Sequence, residues 1–451
     1  MSIQIDPGII ALIIFGLMIV TFCINKLPPA WVSITGCVIC VLFGIAALPI
    51  ALSGFTNDII FLIAGMDILT QALLKVGLSN VIGRAIIKLS NGVEKRIMII
   101  SFCISAVISG LLSNMTVIMI FLVIFRSIAN VSEPGTFNIK NVFLPVVAGV
   151  FAGAGFTLIG TTSNLIGNNI VIDAGLDGFE FFAFLPIALG IFIVCGLIIY
   201  FYQYENGKKL WRGEAVQTGE AVQTGGVNTQ PDTKSGGQST SANKSSGGFD
   251  KEIVDKKKMY VMAGIMVLTL ALLASGLVSL GTAALIGALL SVITGCIKEN
   301  EAFSKMNWSI IIWLAGLFSM TNILNVTGGS DRIAHFATSI VPEGLPLFMV
   351  FALAVLIAMS CSQVISDAVT VLIFLPAFLP IAIGVGMNPY TMAAGIIFAA
   401  NLSFLTPLAS GQIGIALTAG YSFSDIFRYS WLLHIAMYLT LILLIPLVFP
   451  L

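Results

Sequence analysis

Charge is what this 451-residue chain has least of: only 9% of its residues are Asp, Glu, Lys or Arg. A soluble domain carries roughly 25%, so a conventional charged surface facing water is excluded. Histidine is scarcer still, with two residues, His335 and His434, that stand alone in the sequence and are read as non-ligands. No His, Cys or carboxylate cluster has metal-site spacing, and no convergent set of titratable groups suggests catalysis. The chain is therefore expected to need no enzymatic cofactor and no transition metal. A Walker-type phosphate loop is missing too, so ATP drive within the chain is not expected. Net charge is zero, which supplies no basic face for nucleic acid. The first apolar run, 8–23, has no basic stretch before it and no Ala-x-Ala type site after it; it reads as a retained helix, not a signal peptide.

Apolar residues fill the space that charge leaves, at 58% of the chain. Lipid is then the main solvent, and a bilayer crossing takes about 20 mostly apolar residues. Apolar runs set against breakers predict crossings near 8–25, 30–50, 57–77, 141–170 and 182–203, then 258–275, 277–297, 306–327, 392–417 and 429–450. Two further segments, 97–130 and 345–386, each hold two shortened helices around a polar middle and read as re-entrant hairpins. The seven cysteines all lie in apolar stretches and read as small hydrophobes. Residues 204–257, with a tandem GEAVQT copy followed by Gly, Ser, Thr and Lys, read as a disordered linker.

The fold class expected is an all-α polytopic membrane protein of two inverted repeats, 1–203 and 258–451, each with five crossings and one hairpin. Shifting the sequence by 251 sets 59–82 on 310–333 without a gap, with nine identities that include Ala64-Gly65 on Ala315-Gly316, Gly77 on Gly328 and Ser79 on Ser330. Five crossings are an odd number, so the second copy starts from the opposite side. With the N-terminus outside, 20 of the 21 basic residues fall on the inner side and only Arg332 falls outside, as the positive-inside rule requires. Both termini are then extracytoplasmic and the linker cytoplasmic, in a plasma (inner) membrane. The run 79–92 has apolar and basic residues at helical spacing and is expected to lie in the inner interface as a linking arm, with 330–340 doing the same outside.

Four polar interruptions fall at membrane depth: Ser113-Asn114-Met115-Thr116, Gly160-Thr161-Thr162-Ser163-Asn164, Ser366-Asp367-Ala368-Val369-Thr370, and Thr406-Pro407-Leu408-Ala409-Ser410-Gly411-Gln412. Each half holds one hairpin tip and one break in the span that follows. Unpaired backbone is costly in hydrocarbon unless it lines a cavity or a site. Freed carbonyls and hydroxyl or amide oxygens suit a small hard cation, and exposed helix N-termini suit an anion. Close helix contact through Ser, Thr and Gly is the competing explanation. Asp367, a carboxylate at membrane depth, could bind sodium, cycle through protonation, or cap its helix. Asp67 reads equally as a satisfied acid or a second coupling site. Neither break holds an arginine, so no bidentate carboxylate clamp is expected.

The run TLIGTTSNLI at 157–166 and the run AGYSFSDIFRYSW at 419–431 resemble the divalent anion/sodium symporter family of the ion transporter superfamily, and the similarity extends over nearly the whole chain outside the linker. The resemblance implies a dimeric carrier of a dicarboxylate, citrate, sulfate or related anion, coupled to sodium by an elevator-type movement of the hairpin-bearing unit. It implies an anion held by Ser113, Asn114, Thr116, Thr162, Ser163, Asn164, Ser366, Asp367, Thr370, Ser410 and Gln412. It implies sodium held by Ser113, Asn114, Gly160, Thr161, Asn164, Ser366, Asp367, Thr406, Pro407 and Ala409. The chain departs from the family pattern at Met115, at Asp367-Ala368 and in the second break, which lacks the Gly-Thr-Pro-Pro-Asn form. A proton-coupled anion carrier or cation/proton exchanger using Asp367 is the alternative.

Overall fold

The structure is a computed structural model describing residues 6–24, 27–131, 136–211, 256–329, 332, 345–406 and 411–451. Every element among them is a helix. Five helices are long and apolar enough to cross a membrane: Leu185–Leu210, Lys256–Ser275, Trp308–Val326, Asp367–Gly384 and Phe423–Val448. A sixth crossing results if Asp58–Lys75 and Leu78–Ser90, bent by 60° at their junction, count as one.

Several expected boundaries move. The crossings predicted at 30–50 and 277–297 are the 14-residue helices Pro29–Leu42 and Leu280–Ile293, about 21 Å long at 1.5 Å per residue. Both stop for one reason, a glycine in the left-handed region: Gly44 (φ 68°) and Gly295 (φ 70°). After each, the next residue's amide reaches back to the carbonyl five residues earlier, Ile45 to Cys40 (2.9 Å) and Cys296 to Ser291 (3.0 Å), a cap that a glycine accommodates without steric cost. The hairpin expected at 97–130 is the pair Glu94–Ser109 and Asn114–Val131; that at 345–386 is Leu347–Cys361 and Asp367–Gly384. Their second arms are not shortened, each having 18 residues. The expected linker begins too early: 204–210 is helical and prolongs Leu185–Ile198. Its end is anchored by Gln203 Nε2 donating to the Tyr429 carbonyl (2.8 Å) and by Trp211 against the rings of Tyr421 and Tyr429. Residues 212–255 and most of the arm expected at 330–340 lie outside the described residues, as does His335.

The halves recur element by element. Pro7–Ile24, Pro29–Leu42 and Asp58–Lys75 have counterparts 251 residues later in Lys256–Ser275, Leu280–Ile293 and Trp308–Val326. The contacts between them are exchanged: Pro29–Leu42 lies along Trp308–Val326, and Leu280–Ile293 along Asp58–Lys75. A Cβ on Gly65 would stand 2.6 Å from the Ala284 carbonyl carbon, and one on Gly316 would stand 2.6 Å from Ser33 Oγ. Gly65 with Gly316, and Ser33 with Ala284, are again 251 residues apart. Bare glycine faces let these helices approach closely, the contact that drives association where no hydrophobic effect operates between helices.

Helix contacts divide the described elements into two groups, each drawn from both halves. One group holds the helices just named together with Glu299–Lys305. The other holds Glu94–Ser109, Asn114–Val131, Ile139–Gly153, Thr162–Asp173, Leu185–Leu210, Leu347–Cys361, Asp367–Gly384, Pro389–Asn401, Gly411–Thr418 and Phe423–Val448. Leu78–Ser90, the expected arm, links them: it bends off Asp58–Lys75 and packs on Glu94–Ser109.

In the second group Glu94–Ser109 and Ile139–Gly153 touch through Gly149 and Gly153. A methyl on Gly153 would overlap the Ala106 carbonyl oxygen. Gly153→Ala is expected to destabilise by about 1–3 kcal/mol, read as a lowered thermal midpoint in detergent. Gly264→Ala, at a site with nothing within 4 Å, is expected to leave the midpoint unchanged or slightly raised.

Candidate substrate and ion site

The first tip begins where Glu94–Ser109 ends. Ser109 Oγ, fully buried, lies 2.7 Å from the Val150 carbonyl and 2.6 Å from Asn114 Oδ1. One hydroxyl thus ties the tip to the helix that leads into the first break. Thr157, inside the break, donates to the Gly110 carbonyl at the tip. The second half repeats both bonds. Ser362 Oγ donates to the Ala399 carbonyl (3.2 Å), and Thr406 Oγ1 donates to the Gln363 carbonyl. Tip residues correspond at an offset of 253 and break residues at 249, so the two bonds are the same pair twice.

The first break opens after Gly153, and helix resumes at Thr162 with Thr161 as its cap, its hydroxyl accepting from the Ser163 amide (2.9 Å). Asn164 closes the loop, its Nδ2 donating to the carbonyls of Ala154 (3.1 Å) and Thr157 (3.2 Å). The Ala154 carbonyl is satisfied this way in the apolar interior, and the Thr157 carbonyl, which also accepts the Gly160 amide (3.3 Å), gains a second donor. Gly160 folds against the Ala154 backbone, where a Cβ would clash.

At the tips and breaks, three side-chain hydrogen bonds join the halves. Asn401, at the end of Pro389–Asn401, accepts from Thr161 Oγ1 (3.0 Å) and donates to Asn164 Oδ1 (2.6 Å). Asn114 Nδ2 reaches Gln412 Oε1 at 3.4 Å. The first tip, the first break and both sides of the second break therefore form one bonded cluster. The second tip joins it through Gln363, whose Nε2 donates to the Met359 carbonyl (2.9 Å) and whose Oε1 accepts from the Leu405 amide (2.9 Å) in the second break.

The expected site residues fall into distinct situations. Asn114, Thr161, Ser163 and Asn164 are buried; Thr162, Ser366, Asp367, Thr406 and Gln412 are half-buried; Thr116 is half-buried and Ser113 is exposed. Asn164 is 1% exposed with both amide hydrogens committed, so only its oxygen has capacity left. Thr370 is fully buried and donates to the Ser366 carbonyl of its own helix start (3.1 Å). Asp367 heads Asp367–Gly384, and its Oδ1 accepts the Ala368 amide (3.0 Å). The second arm it starts lies against Thr162–Asp173, the helix that leaves the first break. Pro407, Ala409 and Ser410 lie outside the described residues. Asp67 belongs to the other group, where its Oδ2 accepts the Asn307 amide (2.6 Å).

Sequence reading passed over Ser109, Thr157, Gln363 and Asn401, which hold the cluster together. Applying the 253 and 249 offsets would have paired Ser109 with Ser362 and Thr157 with Thr406. The hydroxyls of Ser163 and Ser403 are fully buried and have no partner among the described residues. Buried hydroxyls of this kind meet water or an ion.

The citrate transporter family model matches residues 10–371. A transporter of Synechocystis sp., itself uncharacterised, is 26% identical over 204 residues, covering 45% of this chain and 32% of that one. The sodium-dependent high-affinity dicarboxylate transporter 3 of Caenorhabditis elegans is 28% identical over 127 residues, covering 28% and 22% respectively. The matched stretch thus spans about a third or less of the first curated relatives. The crystal structure of the Alcanivorax borkumensis YdaH transporter superposes with a TM-score of 0.61 over 98% of both chains at 12% identity, a likeness of fold.

Asn401→Ala would strand the Thr161 hydroxyl and Asn164 Oδ1 together. The expected loss is about 1–3 kcal/mol for buried groups left unpaired, and a double-mutant cycle with Thr161→Val should show strong non-additivity in thermal midpoints.

Proposed function

Since the chain belongs to the citrate transporter family, we propose that this integral membrane transporter moves a small divalent anion, of the dicarboxylate, citrate or sulfate class, coupled to sodium. The carrying observation is the bonded cluster in which Thr161, Asn164, Asn401, Asn114 and Gln412 bring interrupted helices from both halves together. Structural interruption of this kind at membrane depth is repaid by a solute that uses it. The buried hydroxyls of Ser163 and Ser403, without a partner among the described residues, are open to a solute or water, and the helix N-terminus at Thr162 favours an anion. The name of the nematode relative supports sodium and dicarboxylate as the first pair to test.

Ligand roles are proposed as follows. Thr162, Ser163, Ser366, Gln412 and the Ser113-Asn114-Thr116 tip face the anion, with Ser410 from the segment beyond. Backbone at Gly160, Thr161, Thr406, Pro407 and Ala409 joins side chains of Ser113, Asn114, Ser366 and Asp367 around the cation. Asn164 and Thr370 act chiefly by holding the loops, since their donors are committed.

Two inverted repeats account for the exchanged contacts at the 251 offset and for the duplicated serine and threonine bonds. Alternating access is proposed to be of the elevator type: the group carrying tips and breaks slides against the other, with Leu78–Ser90 as its connecting arm. The proposal extends to a homodimer in the plasma membrane, with both termini outside and the linker cytoplasmic. Proton coupling is the second reading, favoured by Asp367, a half-buried carboxylate whose Oδ1 holds only an amide of its own helix turn.

Reconstituted vesicles decide between them. A sodium gradient, without a proton gradient, is expected to drive uptake of at least one of succinate, citrate, malate or sulfate well above the gradient-free level. Asp367→Asn should then leave sodium-driven uptake partly intact; uptake driven by protons alone, and abolished by that substitution, would replace sodium by protons. If neither gradient moves any of these anions, the coupled-carrier reading fails.

A further inference from the structure

Between the two helix groups the described residues form one side-chain hydrogen bond whose geometry is fixed at every atom. Asn57 caps Asp58–Lys75, its Oδ1 accepting the Ile59 amide at 2.9 Å. That bond orients the carboxamide, so Nδ2 points away from its own helix and donates to Asn169 Oδ1 at 2.7 Å. Asn169 is 5% exposed, and its own Nδ2 donates to Asp173 Oδ2 at 2.9 Å. Neither amide can flip without losing a bond on each side.

Asn57 belongs to the group built on Pro29–Leu42 and Asp58–Lys75. Asn169 belongs to the other, on the helix whose first turn carries Thr162, Ser163 and Asn164. We infer that Asn57 and Asn169 form a latch that holds the two groups in the present relative position and must open in each transport cycle. The inference rests on the proposed sliding of one group against the other.

Three features give the pair the properties of a latch and not of a permanent brace. First, opening costs one neutral hydrogen bond, a small term that thermal motion overcomes. Second, Asn57 keeps its capping bond when the latch opens, so Asp58–Lys75 does not fray. Third, the acceptor left behind on Asn169 is buried, which penalises the open state until water or a new partner reaches it. Asn169 also sits less than two turns beyond Asn164 on one helix. Any tilt of that helix when a solute occupies its N-terminus is carried to the latch as a rigid lever.

The test reads the separation of the groups directly. Spin labels go on cysteines introduced at Leu289 in one group and Leu197 in the other, both exposed, with native cysteines replaced by alanine. Distance distributions are recorded in vesicles with and without sodium and succinate or citrate. Asn57→Ser keeps a capping hydroxyl but cannot reach Asn169; Asn169→Ala removes the acceptor from the other side. The expectation is two separations in the parent protein and, in both variants, a population ratio shifted about two- to tenfold away from the present separation, the range one hydrogen bond supports. Two separations with an unchanged ratio in both variants would overturn the latch and leave the sliding reading intact. A single separation under every condition would overturn the sliding reading, and the latch with it.

Discussion

A hydrocarbon interior offers no water to an unpaired peptide group, and the arrangement of this chain follows from where its unpaired groups are satisfied. Helices end and restart at four interruptions, and each frees carbonyls and amides. Short side chains answer several of them: Asn164 takes the Ala154 carbonyl, Thr157 takes Gly110 and Thr406 takes Gln363, while Asn164, Ser109 and Ser362 add bonds to the Thr157, Val150 and Ala399 carbonyls. Because the answering side chains lie on different segments, satisfying one break fixes the position of another. The cluster is thereby a consequence of where backbone groups find partners.

The same constraint explains what could be read from sequence. Glycine positions with a backbone reason survived comparison of the halves: Gly77 and Gly328 stand at the 251 offset with left-handed φ values of 93° and 73°, and the Gly65 and Gly316 contacts use the missing side chain in the same way. The helix pairs at 97–130 and 345–386 and the breaks that follow them were legible because Ser, Asn, Thr and Pro interrupt otherwise apolar runs. The all-helical membrane class followed from the apolar composition, and the order of helices from those interruptions.

What stayed hidden was partnership. Asn401 sits at the end of an apolar run and has no polar counterpart in the first half, where the equivalent position is Ala152; nothing in its neighbourhood announces a bond to Thr161 and Asn164. Gln363 corresponds to Gly110, a change from side-chain donor to bare backbone. The offset also slips from 251 to 253 at the tips and 249 at the breaks, because connecting turns differ in length, and a single rigid shift therefore misses the serine and threonine pairs. Helix length was misjudged for a different reason: apolar residues continue past Gly44 and Gly295, while the left-handed caps there end the helices early.

The chemistry of the cluster bears on how tightly a transported anion can be held. Amides and hydroxyls carry partial charges, and neutral hydrogen bonds are weaker than those to a guanidinium. With no arginine at either break, an anion would bind through many weak contacts and depend on a cation for much of its stabilisation. Asp367 sharpens that dependence, since a bare carboxylate near a dianion raises its energy, while sodium or a proton between them lowers it. On the proposed function, such a site would favour two outcomes, empty or occupied by anion and cation together. On the same proposal, coupling would come from electrostatics at one location, and the weakness of each individual contact would let the solute leave on the far side.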